Sequence, residues 1–306
     1  MPIRFKLFLT AAFWGATPTV GRILASYEAP IVVVGGRFVI ASAVLLVFMK
    51  FRREFLTIPM KLWLKFFFLG LTGILLHNSL MYEGLESVTA STASILLALI
   101  AIKITVIDSF LSRRLPRWNI VVGVLLGFFG AMYVVTNGHP SEFLDLKVGK
   151  GEVLVLLSGL SWAVYSVIGR DLLTSYKPLL VTTYASVIGV ALMTPFFFHN
   201  PSVTFDIFTD LESVALISFL GFFGSALAFL WYYEAVALLG VVETAIYINF
   251  VPVFGVLFAF IFLGESISSS VLIGGAIVLA GVLLVTVCSD KSDRPVSKST
   301  RESRDT

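Results

Sequence analysis

The sequence predicts an all-α integral membrane protein of ten transmembrane helices, arranged as two inverted five-helix repeats with both termini in the cytoplasm. Three observations lead to this prediction. Of the 306 residues, 58% are apolar and only 13% are charged, whereas about 25% of a typical soluble domain is charged. Ten segments are apolar over the roughly 17–25 residues that a membrane helix needs. Motifs of the first half of the chain also recur in the second half.

The composition also excludes several classes of protein. A soluble fold needs a polar shell, which this chain is too apolar to provide, so a cytosolic enzyme and a nucleic-acid binder are excluded. Cys288 is the single cysteine and allows no internal disulfide. The sequence contains no HExxH, CxxC or P-loop pattern, so we expect no catalytic residues, no metal and no cofactor.

The ten predicted spans follow one another with short connections. The first carries Pro18, and it continues through Trp14 without a small-residue cleavage site, so we expect it to be retained rather than removed as a signal peptide. The fourth carries Lys103 and Asp108, which makes it the most polar of the set. The spans are 5–25, 31–49, 62–81, 88–111, 119–136, 151–169, 179–198, 211–233, 241–263 and 271–288.

The distribution of lysine and arginine predicts the orientation. With the N-terminus placed in the cytoplasm, 17 of the 22 basic residues fall in inner segments and 3 in outer loops. Such an excess is the positive-inside pattern, so both termini are predicted to be cytoplasmic. The compact loops favour a bacterial inner membrane, and the polar tail 289–306 is expected to be disordered.

The internal repeat divides the chain into two related halves. Residues 10–22 (TAAFWGATPTVGR) align with 158–170 (SGLSWAVYSVIGR), which pairs Trp14 with Trp162 at an offset of 148. At an offset of 151, LMYEGL aligns with WYYEAV, and Glu83 falls on Glu234. Five spans is an odd number, so the second copy enters the membrane from the opposite side, as in many secondary transporters. The predicted units are 1–137, a connecting outer loop 138–149, a second repeat 150–288 and the tail 289–306.

The motifs resemble those of a known family. The start FWGATPTVGR, the Arg37-Phe38 pair and the stretch 226–266 are similar to EamA-type transporters of the drug/metabolite transporter superfamily. The resemblance implies a secondary transporter that exports or exchanges small metabolites, often amino acids, without ATP. The first repeat departs from the family pattern: Ala101 stands where the second repeat has Pro252, and residues 111–114 (LSRR) replace the Leu-Gly-Glu-Arg element.

Two basic residues inside predicted spans are candidates for binding an anionic group. Lys103 lies about 12 Å from the inner end of its span at ~1.5 Å per residue, where an unpaired charge is costly and therefore usually functional. Arg37 lies seven residues into the second span. Lys103 would attract a carboxylate or a phosphate, unless it snorkels or pairs with an acid; Arg37 would contact an anion or act as a gate, unless it only holds backbone carbonyls.

Three further polar residues are candidates on the third and ninth spans. His77 is the one histidine predicted inside a span, so it is a candidate for proton coupling, with a hydrogen-bonded structural role as the alternative. Asn78 follows it directly. Asn249 precedes Pro252, which frees a backbone carbonyl, so Asn249 either contacts substrate or holds helices together.

Aromatic residues are predicted to supply the walls of the site, and small residues the packing behind it. The fifth and tenth spans carry glycines that allow close helix contact, so we expect these two spans to pack together away from the cavity. The aromatic candidates are Trp14, Tyr82, Trp162, Tyr165 and Tyr232.

The expected partners are a small-molecule substrate and the lipid bilayer, together with a proton or a counter-substrate, in a monomer or a homodimer. One alternative is an organophosphate or nucleotide-sugar exchanger of the same superfamily, which would be expected to place several basic residues in the cavity. A non-transporting receptor or a channel is the other alternative, and saturable counterflow would distinguish it.

Overall fold

A computed structural model describes residues 1–25, 30–111, 118–139, 149–197, 206–248 and 250–289. Every regular element within these ranges is helical, which confirms the all-α class. The expectations for Asn249, for most of the connecting loop and for the tail from residue 290 onward fall outside the described residues.

The first half contains the helices that we label α1 to α5 within the described ranges. The third, α3, runs without interruption through short 3-10, α and π segments. The fourth, α4, consists of Ala90–Ala98 and Ile100–Leu111, joined at Leu99. The bounds are Ile3–Leu24 for α1, Pro30–Arg52 for α2, Met60–Leu85 for α3, Ala90–Leu111 for α4 and Trp118–Val135 for α5.

The second half contains α6 to α10. Gly240, with φ of +83°, ends α8, since that backbone conformation suits glycine and interrupts the helix. The ninth predicted span was expected as one helix, but α9 has two described pieces, 241–248 and Val251–Leu263. Pro252 stands in the first turn of the second piece, where its missing N–H costs nothing. The other bounds are Lys150–Leu173 for α6, Pro178–Phe197 for α7, Leu211–Gly240 for α8 and Ser269–Ser289 for α10.

The lengths and composition of these helices are those of a multi-pass membrane protein. Six of the described helices are long and apolar enough to cross a bilayer, namely α2, α3, α4, α6, α7 and α8. Shorter apolar helices lie at Ile120–Val135, Val251–Leu263 and Ser269–Leu284. The exterior exposes large apolar side chains such as Phe110, Phe129 and Phe262, which suits contact with lipid chains. The count of ten spans stays a prediction.

Helices α5 and α10 pack against each other through glycines, as the sequence predicts. A Cβ atom on Gly130 would lie 2.8 Å from the carbonyl oxygen of Gly274, and one on Gly281 would lie 2.6 Å from that of Gly123. Only glycine permits backbones to approach this closely. No described residue of α5 or α10 lines the central cavity, so this pair stands behind it.

Two π-helical segments occupy corresponding places in the two halves. Gly70–Leu76 lies within α3, and Leu220–Leu227 lies within α8. A π segment shifts the hydrogen-bond register of a helix and is frequent at functional sites. A residue that lines the central cavity follows each segment closely, His77 after the first and Phe229 after the second. The lining residues come from α1, α2, α3, α4, α6, α8 and α9.

Candidate functional site

The cavity lies among seven helices and is lined mainly by apolar and aromatic side chains. Its volume is about 90 Å³, several times the ~10–15 Å³ that one water molecule needs by the same measure. The lining residues are Trp14, Thr17, Arg37, His77, Asn78, Met81, Leu97, Ala98, Ile100, Ala101, Ile104, Trp162, Phe229, Tyr232, Val251 and Pro252.

Many of the lining residues are related to one another by the offsets of the sequence repeat. Trp14 and Trp162 are separated by 148 positions, and both line the cavity. Four more lining pairs are separated by 151 positions. These pairs are Asn78 with Phe229, Met81 with Tyr232, Ile100 with Val251, and Ala101 with Pro252. The cavity is therefore built from equivalent positions of the two halves.

Arg37 is the charged residue of the described lining, and its side chain is only 1% exposed. Nε donates a hydrogen bond to Oγ of Ser225 at 2.8 Å, and a terminal nitrogen donates to the hydroxyl of Tyr82 at 3.1 Å. The other terminal nitrogen donates to the carbonyl of Gly224 at 3.3 Å. All three acceptors are neutral, so within the described residues this cation is held by hydrogen bonds and by no carboxylate.

The π segment of α8 positions Arg37 and Trp14 together. The carbonyl oxygen of Gly224 accepts from Nε1 of Trp14 at 3.0 Å as well as from Arg37. A Cβ atom on the neighbouring Gly221 would lie 2.8 Å from the carbonyl oxygen of Arg37, so α2 and α8 are in backbone contact here. The glycines of LGFFGSAL thus bring the guanidinium to the cavity wall.

The π segment of α3 is completed by Asn78. Its Nδ2 donates to the carbonyl oxygens of Gly73 and Ile74, both at 3.0 Å. These carbonyls belong to the segment whose hydrogen-bond register is shifted, so Asn78 satisfies acceptors that a regular helix would have occupied. Asn78 is 2% exposed, and it lines the cavity.

His77 is fixed between α3 and α6. Its Nδ1 lies 3.0 Å from the carbonyl oxygen of Ser158 and 3.1 Å from Oγ of the same residue. A carbonyl oxygen only accepts, so Nδ1 donates to it and carries the ring proton. The imidazole also packs on the indole of Trp162, with ring centroids 4.8 Å apart.

Four aromatic side chains form a continuous cluster in the cavity wall. Trp14 contacts Trp162, Phe229 and Tyr232, with centroid distances of 5.1, 5.7 and 5.4 Å. Trp162 also lies 5.0 Å from Phe229, edge to face. Such contacts hold each ring in one orientation, so the cavity presents rigid apolar faces beside the guanidinium of Arg37.

Six of the sequence-predicted site residues line the cavity, and three described ones lie beyond it. Tyr82 stands behind Arg37 and accepts its hydrogen bond. Tyr165 is fully buried, stacked on Tyr233 at 5.2 Å. Lys103 donates from Nζ to the carbonyl oxygen of Leu156 at 2.7 Å, which directs its side chain toward α6. Trp14, Arg37, His77, Asn78, Trp162 and Tyr232 are the six in the wall.

Sequence reasoning missed several lining residues that carry no polar signal of their own. Phe229, Met81 and Thr17 are among them. The repeat would have found the first two, because the offset of 151 pairs Phe229 with Asn78 and Met81 with Tyr232. Thr17 had no such partner in the wall; its hydroxyl donates to the carbonyl of Phe13 on the same helix.

A helical membrane bundle with a buried cavity at equivalent positions of its two halves defines a class of protein, the membrane transporters of small solutes. The chain belongs to the EamA-like transporter family, whose model matches residues 3–136 and 149–287. The two matches are separated by residues 137–148, which include most of the predicted connecting loop.

Several relatives carry names that describe transport. An uncharacterized transporter of Archaeoglobus fulgidus is 33% identical over 82% of this chain and 85% of its own length. A probable terminal-alkyne amino-acid exporter of Streptantibioticus cattleyicolor is 29% identical over 71% and 70% of the two chains. One solved structure shares the fold, with a TM-score of 0.64 and 22% identity, covering 94% of this chain and 98% of that one.

Proposed function

We propose that the protein is a secondary transporter that exports or exchanges small amphipathic solutes, amino acids among them, by alternating access of the central cavity. The single observation that carries the proposal is the composition of the cavity wall, in which five pairs of residues are related by the repeat. In inverted-repeat transporters the substrate site lies between the halves near the midplane, and one half rocks against the other.

The proposal includes ten membrane spans in two inverted repeats with cytoplasmic termini. The ion pairs of the described residues support this arrangement. Lys6 pairs with Glu234 at 2.5 Å on the side assigned to the cytoplasm, and Lys150 pairs with Glu83 at 2.9 Å on the opposite side. Glu83 and Glu234 are equivalent in the repeat, and each pair joins one half to the other. A rocking motion would separate the partners of one ion pair while those of the other stay in contact.

The residues of the cavity wall give the proposal a site. Arg37 would contact the polar end of the solute, and the cluster of Trp14, Trp162, Phe229 and Tyr232 would contact its apolar part. Asn78 and His77 hold the π segment and α6 around it, and His77 stays the candidate for a coupled proton. A bacterial inner membrane is the proposed location.

The observations favour this function over the exchange of organophosphates. A phosphate dianion or a nucleotide sugar needs several cations, whereas Arg37 is the charged side chain of the described lining. The name of the amino-acid exporter among the relatives agrees with a smaller solute.

Exchange of solutes by reconstituted protein tests the proposal. Liposomes that contain the protein and are loaded with a metabolite mixture should release a small set of solutes saturably, either against a counter-solute outside or under a pH gradient, as mass spectrometry would show. Leakage without saturation would indicate a channel, and no selective exchange by folded protein would contradict the proposal.

A matched pair of variants links the exchange to the cavity. Ala101 lines it, whereas Val253 on α9 is 49% exposed toward the exterior. Ala101→Phe should fill the cavity and abolish exchange, and Val253→Phe should leave it unchanged. Equal exchange by the two folded variants would place the path elsewhere.

A further inference from the structure

We propose, resting on the function proposed above, that this transporter recognises its solute through one carboxylate, which binds the two free N–H groups of Arg37, and that it does not recognise an amino group. The substrates would then be amphipathic monocarboxylates, whether or not they carry an ammonium group.

The two terminal nitrogens of the guanidinium keep N–H donors that a carboxylate can use. An arginine side chain carries five N–H donors. In the described structure one is used on Nε and one on each terminal nitrogen, with Ser225, Tyr82 and Gly224 as acceptors. One N–H therefore remains on each terminal nitrogen, and the two oxygens of a carboxylate can accept from both.

The charge of Arg37 is uncompensated within the described wall. The residue is 1% exposed, and its acceptors are a hydroxyl of serine, a hydroxyl of tyrosine and a backbone carbonyl. None of the described lining residues is an aspartate or a glutamate. A buried charge that lacks a counter-ion is costly in a membrane protein and favours an anionic ligand.

One cation with two free donors selects a carboxylate over a phosphate. A phosphate monoester carries close to two negative charges and three terminal oxygens. Lys103 on α4 is not among the lining residues, and its Nζ donates to the carbonyl oxygen of Leu156. The second charge of a phosphate would therefore be buried without a partner.

Apart from the guanidinium of Arg37, an ammonium group finds only neutral surroundings in the described wall. The hydroxyl of Tyr232 donates to Ser166, and the hydroxyl of Thr17 donates to the carbonyl of Phe13. The other neutral groups of the wall include the imidazole of His77, the amide of Asn78 and the aromatic faces of Trp14, Trp162 and Phe229. The free energy of such contacts is similar to that of the hydration that an ammonium group loses. Removal of the amino group should therefore change the affinity little.

Binding of matched probes to the purified full-length protein tests the proposal, with tryptophan fluorescence as the readout because Trp14 and Trp162 line the cavity. Two apolar bodies, phenyl and isobutyl, neither of which fluoresces in the range of tryptophan, are each offered as the carboxylate, the amino acid, the amine and the phosphate ester. For the phenyl body these are 3-phenylpropanoate, phenylalanine, 2-phenylethylamine and 2-phenylethyl phosphate. With at least one body, carboxylate and amino acid should bind within about threefold of each other, and amine and phosphate about tenfold or more weaker.

Variants assign the effect to Arg37. Arg37→Gln should weaken carboxylate binding about tenfold or more and abolish the preference over the amine, and Arg37→Lys should restore part of it, because a point charge remains. Arg22→Gln is the matched control, since Arg22 binds the carbonyls of Leu85 and Glu86 at the end of α1, away from the cavity. Thermal unfolding of each variant shows whether it is folded.

Several results would overturn the proposal. These are an amine that binds as tightly as the carboxylate of the same body, an amino acid bound at least tenfold tighter than the matching carboxylate, a phosphate that binds best, no binding of any carboxylate, or an unchanged preference in folded Arg37→Gln. The assay measures binding without transport. Carboxylate binding without exchange in liposomes would contradict the transporter function alone, and exchange of solutes that lack a carboxylate would contradict this proposal alone.

Discussion

Trp14 and Trp162 pack edge to face in the cavity wall, with ring centroids 5.1 Å apart and an interplanar angle of 81°. These two residues occupy the same place in the two sequence repeats, on α1 and α6. Their contact joins the halves at the level of the cavity. Each indole is further held by Phe229, which lies 5.7 Å from Trp14 and 5.0 Å from Trp162.

The indole N–H of Trp14 makes a hydrogen bond that predicts a loss of stability on mutation. Nε1 of Trp14 donates to the carbonyl oxygen of Gly224 in the π segment of α8. Trp14→Phe keeps an aromatic ring and loses this bond, so we expect a lower unfolding temperature, from a loss of about 1 kcal/mol. Trp231→Phe is the control, because Trp231 stacks on Phe13 outside the cavity. An equal effect of the two substitutions in detergent unfolding would contradict the prediction.

His77→Gln should separate solute exchange from proton coupling. The imidazole is held by Ser158 and lies beside Trp162, and a glutamine can donate a similar hydrogen bond without titrating. If a coupled proton passes through His77, counterflow exchange persists in the variant, and the acceleration of wild-type transport by a pH gradient is lost. Fluxes in liposomes with and without the gradient measure both quantities. A gradient response that survives in the variant would assign His77 a structural role.

The sequence predicted the helical class from its composition, and it predicted six of the cavity residues because they are polar or aromatic side chains within apolar spans. Membrane helices need long apolar segments, and those are visible without a structure. It could not predict which face of α4 meets the cavity: Ala101 and Ile104 line it, while Lys103 between them turns to α6. That choice depends on helix rotation and on a carbonyl of another helix, neither of which leaves a pattern in the local sequence.

Lys103→Met tests the position of the lysine directly. Nζ contacts the carbonyl oxygen of Leu156, an interior residue of α6 whose carbonyl keeps its helical acceptor role without the lysine. Replacement of a buried charge by an apolar side chain of similar length is often neutral or stabilising. We therefore expect an unfolding temperature equal to or above that of the wild type, and most of the exchange activity. Loss of exchange in a stable Lys103→Met variant would support the sequence prediction that the ammonium attracts the solute.

The two repeat-related ion pairs should differ in their effect on stability. Side-chain exposure is 23% for Lys6 and 17% for Glu234, against 78% for Lys150 and 44% for Glu83. Exposed pairs contribute about 0.2–1 kcal/mol, whereas loss of one partner of a more buried pair leaves a charge with little hydration. We expect Glu234→Gln to lower the unfolding temperature more than Glu83→Gln. Added salt should weaken the exposed pair of Lys150 and Glu83 at lower concentrations than the pair of Lys6 and Glu234. The reverse order in thermal unfolding would contradict the assignment.

Close contact between α5 and α10 predicts a difference between two glycines on the same helix. A Cβ atom on Gly281 would meet backbone atoms of α5, the oxygen of Gly123 at 2.6 Å and the nitrogen of Gly127 at 2.8 Å. Backbone cannot move aside without separating the helices, so Gly281→Ala should destabilise the fold by about 1–3 kcal/mol.

Gly275 on the same helix is the matched control. A Cβ atom on Gly275 would meet the end of the Ile95 side chain at 2.9 Å, and that side chain can rotate away. Gly275→Ala should therefore stay within about 1 kcal/mol of the wild type, since alanine is also the better helix former. Unfolding of both variants in the same detergent measures the difference, and equal stability would show that α5 and α10 tolerate a wider separation.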